Sequence, residues 1–370
     1  MATKVIVFGW LLLLFLAAAE VSSQVVKDAH PSLQTRFIYN SWQVTDSSGK
    51  ATIKQSGVPV RGYMPLRNNL EMVFSTQLST NDLQRDSSHS LSGAGDFRVQ
   101  VNQSLSDDRL LLSAGVNLPT GKSELGYNND TMIVNMLARD YLGLAMRRFG
   151  QGFGFNLMVG TAAMLGDVRG GLGVMYEYTG EYNPYTDIGR YDPGNSASLT
   201  VSGLRQLRRS SLYGDAVVTV YGSDRLDGEL VYRRSPQVAL RLGGRHSWDK
   251  YRLDGRIRLV WRGLNREYGN GGVVAEQYRL YGNEFQGSLS WRWYVRPEWY
   301  LSPGVNVKLI AANDKDLGYS YLTGVGGTVG RTMGRHVNLQ LGGRYYMGQA
   351  DAGVIDIDGY QIVAGVSVTL

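Results

Sequence analysis

The chain has no cysteine among its 370 residues. That excludes a disulfide framework, thiol chemistry and any thiolate metal site. Its four histidines, His30, His89, His246 and His336, show neither metal-ligand spacing nor a His-Glu-x-x-His pair. After the first two dozen residues no apolar run is long enough to cross a bilayer as a helix. Charge is nearly balanced at +6, and no Lys/Arg stripe of the nucleic-acid-binding kind is present. Glycine is plentiful, at 47 residues, but without a three-residue period, which excludes a collagen-like fibre. A mean hydropathy of -0.21 excludes a helical membrane protein. It does not exclude membrane-crossing strands, which hide half their residues from a hydropathy window.

Met1 to Ser23 reads as a secretory leader. Lys4 supplies the positive start, Val5 to Ala19 the apolar stretch, and small residues the cleavage region, after Ala19 or Ser23. Removing it takes away Lys4 and Glu20 and leaves the net charge at +6. Residues 24–32 then form a short tail and residues 33–370 one folded unit.

The most informative stretch is Tyr251 to Arg262. Its odd positions are Tyr251, Leu253, Gly255, Ile257, Leu259 and Trp261. Its even positions are Arg252, Asp254, Arg256, Arg258, Val260 and Arg262. As a strand it has one apolar face with an aromatic at each end, and one charged face. As a helix it would mix Arg with Leu on every face. The same alternation recurs from Leu33 to Leu370, with tight turns such as Arg67-Asn68-Asn69 and Ser106-Asp107-Asp108. With 23 Tyr and 7 Trp, this pattern predicts an all-β fold. The expected form is a closed antiparallel up-and-down transmembrane β-barrel of about 16 strands, within a range of roughly 14 to 18. Tyr141 to Arg148 reads as a strand. Met132 to Asp140 reads equally as helical turn, constriction loop or strand, and Ser223 to Pro236 as loop with a short strand at Glu229 to Arg233. The raw tally is odd, so at least one segment is misread. Long loops follow Leu118, Tyr178, Gly263 and Ile310 and should face outward, although this parity fails mid-chain.

Charge on a lipid-facing wall costs about 2–4 kcal/mol at mid-membrane. The charged face is therefore expected to line the lumen, with Arg241 and Arg245, then Arg252, Asp254, Arg256, Arg258 and Arg262, then Glu284 and Arg292, then Lys308. Facing water, such a wall favours anions. Alternatively, Asp254, Glu284, Asp215 and Glu71 pair with it in a stiffening ladder. Tyr251, Trp261, Trp291, Trp293 and Trp299 are the expected membrane-facing aromatics. No catalytic residue is expected: His246 and Ser247 are strand neighbours and point apart.

The last strand puts Tyr360, Ile362, Ala364, Val366, Val368 and Leu370 on one face. It resembles the C-terminal signature of bacterial outer-membrane barrels, with Leu370 where an aromatic is usual. Leu118-Pro119-Thr120-Gly121-Lys122, closing a strand and opening a long loop, resembles the Leu-Pro-Thr-Gly element of the MetA-type phenol-degradation family of outer-membrane transporters. Tyr191-Asp192-Pro193-Gly194 before a strand is similar to them too. The resemblance implies passive uptake of small hydrophobic or aromatic molecules. Together these features lead to the expectation of a porin-like channel with a charged lumen, or else a selective transporter of hydrophobic compounds, or a structural or adhesive barrel. Expected partners are outer-membrane lipid and lipopolysaccharide, the barrel-assembly machinery and a small solute, with no cofactor, metal or nucleic acid. Oligomeric state is not legible.

Overall fold

The computed structural model describes residues 30–370 except 123, 145, 147, 148, 187, 269–281 and 313–317. The expected leader and most of the tail lie outside the described residues. The barrel strands are β1 (Ser32–Asp46), β2 (Gly49–Arg67), β3 (Leu70–Gln84), β4 (Ser88–Ala94 continued by Phe97–Leu105), β5 (Leu110–Leu118), β6 (Gly154–Leu165), β7 (Val168–Thr179) and β8 (Ser196–Gln206). They continue as β9 (Ser210–Tyr221), β10 (Gln237–Ser247), β11 (Tyr251–Arg262), β12 (Glu284–Arg296), β13 (Trp299–Ile310), β14 (Ser320–Met333), β15 (Val337–Ala350) and β16 (Ile355–Thr369). Both segments of β4 pair with β3, so 17 ladder segments make 16 strands. Every barrel pairing is antiparallel, and all but the closing one join sequence neighbours. β16 closes on β1 from Ser32 opposite Thr369 to Thr45 opposite Asp356. Closure leaves no open edge, so every strand has a partner on both sides.

The even count restores the parity that the sequence reading lost. The described residues of Tyr141 to Arg148 form no strand. A 3-10 turn at Asp140–Leu142 leads into irregular backbone, and a helix, α1 (Tyr127–Leu137), precedes it. Glu229–Arg233 is a strand, but it belongs to a separate small sheet with Tyr191–Asp192, Ser223–Leu226 and Arg266–Glu267, built from three loops. Tyr191 and Tyr232 are its buried core, and the Gly194 N–H donates to Asp224 at 2.8 Å. With those segments removed, all long loops leave one end, the loop end. The connections at 68–69, 106–109, 166–167, 207–209, 248–250, 297–298 and 334–336 are tight turns at the other.

The outer wall is apolar. Leu157, Val174, Val218, Ile257, Leu289, Val305, Val325 and Leu341 all stand exposed on it. On β11 it runs from Tyr251 at the turn end to Trp261 at the loop end. At ~3.3 Å per residue and a tilt near 40° that is a band about 25 Å tall, the height of a bilayer's apolar core. Each strand buries only one face, because hydrocarbon takes the other. The buried core is inside the barrel, at the loop end.

Candidate functional site: the lumen and its plug

The loop between β5 and β6, residues 119–153, folds back into the barrel. Its carrier is α1, with Ile133, Val134, Met136 and Leu137 buried, followed by Tyr141, Leu142, Leu144, Met146 and Phe149. Asp130 lies in the first turn, where the helix dipole favours an acid, and accepts the Gly126 N–H at 2.8 Å. The apolar side chains meet inward-facing Trp42, Val44, Ile53, Leu83, Leu91, Ile310, Leu322 and Ile357 near the loop ends of their strands. Each Leu or Ile so buried contributes ~1.5–3 kcal/mol. Burial pushes the Tyr141 phenol above its ordinary pKa, so it stays neutral.

Polar groups hold this plug at two places. At its neck, the buried carboxylate of Asp96 accepts the Gly121 N–H at 2.9 Å, the Gln151 N–H at 2.7 Å and the Asn117 Nδ2 at 2.7 Å. The two ends of the loop cross there. A Cβ on Gly121 would lie 2.7 Å from the Gly150 Cα, so only glycine fits. The break in β4 is what turns Asp96 toward the neck. Thr120 of the Leu-Pro-Thr-Gly element accepts the Phe97 N–H at 2.9 Å, so that element starts the inward loop. Deeper in, the Gln55 amide donates to the Met146 carbonyl at 2.7 Å and accepts its N–H at 3.1 Å. It pairs that backbone as a strand would.

Beneath the plug lies a cavity of about 1180 Å³, roofed by Tyr141, Leu142 and Gly143 and reaching Asp108 at the turn end. Its sides differ. On β6 and β7 the inward residues that line it include Met158, Gly160, Ala162 and Gly173, none of them charged. On β10 to β13 they include Arg241, Arg256, Arg258 and Lys308.

Most of these cations are held. Asp215 takes Arg241 at 2.8 Å. Asp254 takes Arg245 at 2.8 Å and Arg252 at 2.6 Å. Glu284, with its side chain only 2% exposed, takes Arg258 at 2.9 Å and Arg262 at 3.0 Å, with Lys308 at 4.0 Å. Arg292 lies 4.1 Å above the Tyr300 ring, a cation–π contact. Glu71 is bonded to Asn102 at 2.8 Å instead of to a ladder arginine. The cations still outnumber the carboxylates on this wall.

Tyr251, Trp261, Trp291, Trp293 and Trp299 are all exposed on the outer face, and Trp291 lies 5.5 Å from Tyr251. Four of the five sit at the turn end, and only Trp261 at the loop end. Tyr360, Ile362, Val366 and Val368 face outward on β16, and the Leu370 N–H donates to the Pro31 carbonyl at 2.8 Å. His246 bonds Ser210 across the strands, at 2.6 Å, and not Ser247. What sequence reading missed is the plug. Its signal was present in apolar residues on the otherwise polar face, Trp42, Val44, Ile53 and Leu322, always at the loop end.

Closed, even-stranded, apolar outside and charged within, the chain is a transmembrane barrel of the outer-membrane type. No protein-family model matches it and no curated protein matches it, so the resemblance at Leu118 to Lys122 is carried by those residues alone. Solved structures similar to it include a bacterial polysaccharide outer membrane secretin, at 13% identity over 93% of this chain and 99% of that one, with a TM-score of 0.50. Pseudomonas aeruginosa OpdL is 11% identical over 93% and 100%, with a TM-score of 0.49. A BenF-like porin from Pseudomonas fluorescens is 10% identical over 94% and 100%, at 0.47. At such identities the likeness is one of fold.

Proposed function

We propose that this chain is an outer-membrane channel through which small solutes diffuse, with a preference for anions. The loop end faces the outside and the turn end the periplasm. The observation that carries the reading is the basic wall of β10 to β13 bordering the cavity. A barrel of this size holds an aqueous path unless it is filled, and fixed cations in such a path favour anions. Selection needs no covalent step, only width, lumen charge and the plug. Lipid and lipopolysaccharide contact the outer belt, and the assembly machinery acts on β16. The test is conductance of the purified mature chain in a planar bilayer under a KCl gradient. A reversal potential on the chloride side supports the proposal, and a cation-selective current overturns it.

One feature favours a second reading, selective passage of small hydrophobic or aromatic compounds. The plug is apolar and the β6–β7 side of the cavity is uncharged. No ionic current together with saturable uptake of such a compound would support that reading instead.

A further inference from the structure

The cross-strand register sets Arg256 apart from its neighbours. It is exposed in the cavity, and among the described residues it has no carboxylate partner, whereas Arg252 and Arg258 on either side of it are held by Asp254 and Glu284. At its level the neighbours across the sheet are Gly243 on β10 and Ser288 on β12, followed by Asn306 on β13. All of these are neutral. Next to Gly243 stands Tyr213 of β9. A Cβ on Gly243 would lie 2.2 Å from the Tyr213 Cζ, so the ring covers the bare backbone of Gly243, the residue paired with Arg256. Both Tyr213 and Arg256 border the same cavity.

We infer that Arg256 is a solute-binding cation of the β10 to β13 wall and that, with Tyr213, it forms a subsite for a small organic carboxylate carrying a flat apolar body. Each clamped arginine has part of its charge neutralised by a carboxylate and at least one donor committed to it. A guanidinium paired to a carboxylate has lost much of its pull on a second anion, and releasing it breaks a charge-assisted bond. Arg256 has no such bond to break. The Ser288 hydroxyl and the Asn306 amide are neutral donors on the same row. The Tyr213 face offers apolar area to a ring without adding charge. The carboxylate end goes to Arg256 and the body to Tyr213.

This rests on the channel reading, and its test separates the two. Benzoate and acetate are titrated against the chloride current of the full mature barrel. Benzoate is also titrated calorimetrically against the detergent-solubilised barrel. Arg256→Gln is expected to raise the half-blocking concentration of both anions by about tenfold, the scale of one charge-assisted contact. Tyr213→Leu is expected to raise that of benzoate and leave acetate within about twofold. Arg258→Gln should shift benzoate far less than Arg256→Gln. Equal effects of Arg256→Gln and Arg258→Gln would overturn the assignment and make the ladder act as a whole. So would unchanged benzoate affinity in Arg256→Gln. A wild-type barrel without anion current fails the channel reading, while calorimetry still decides whether benzoate depends on Arg256.

Discussion

Two parts of the lumen wall solve opposite problems with one strand pattern. At the loop end the inward face carries Trp42, Ile53, Leu83 and Leu322, and the chain supplies its own cover in α1 and the segment after it. On the β10 to β13 side the inward face carries Arg241, Arg256, Arg258 and Lys308, and the space beside it is left as a cavity. Apolar wall demands a protein filling, because water beside it is costly. Charged wall demands water or counter-charge, because a desolvated, unpaired ion costs far more. The boundary between dry and wet lies at Tyr141 to Gly143.

The largest expected effect comes from removing the dry half. Replacing 123–149 by a short Gly-Ser linker between Lys122 and Gly150 should raise single-channel conductance by more than about twofold, because an unfilled barrel of this size conducts. Unchanged conductance would mean that the narrowest point lies in the charged half. Next is Glu284→Gln in the wet half. Removing one partner from a buried cluster costs about 3–5 kcal/mol, read as a lower urea midpoint for unfolding of the detergent-solubilised barrel. A midpoint within error of wild type would show that water, and not Glu284, holds Arg258 and Arg262.

Asp96→Ala tests the plug's attachment. Its three donors lose a common acceptor, and each buried group left unpaired costs about 1–3 kcal/mol. The expected result is frequent current steps between a low and a high level, with barrel unfolding little changed. A steady wild-type current would assign the plug's hold to its apolar packing alone. The smallest effect is expected at the exposed pair Asp167–Arg205, 2.6 Å apart at the turn end. The hydrogen bond from Arg205 holds the Asp167 carboxyl below its ordinary range. A depressed carboxyl stabilises above its unfolded pKa and loses that contribution as pH falls through the folded value. From about pH 5 to 8 it stays ionised in both states, so Arg205→Gln should leave the unfolding midpoint flat across that window. A pH-dependent midpoint there would make this turn more than a solvated link.

Much of this was legible in the chain. Tyr251 to Arg262 could be read as a wall strand because all its charges keep to one face, and Tyr360 to Leu370 because one of its faces is apolar throughout. The strand expected at Tyr141 to Arg148 was the error, whereas Glu229 to Arg233 is a strand as expected but no part of the wall. Both have strand-like composition and lie in loops. Period alone does not tell a stave from a segment packed on protein. In α1 the apolar residues Ile133, Val134, Met136 and Leu137 are crowded into two turns, too short a run for a helical period to stand out. The ladder residues were identifiable by parity, but which of them lacks a carboxylate partner among the described residues was not. That depends on register: Arg241 meets Asp215 and Arg245 meets Asp254 across the sheet, whereas Arg256 meets Gly243 and Ser288.

By itself the sequence determined the two-sided wall, its closure into a ring and the sign of its lining, since alternation every second residue is a local property. Only the tertiary structure decided that 119–153 turns inward, that Asp96 fastens its neck, and that Arg256 has no carboxylate partner among the described residues. Each of these joins residues distant in the chain, and the energy that selects them exists only once the barrel has brought them together.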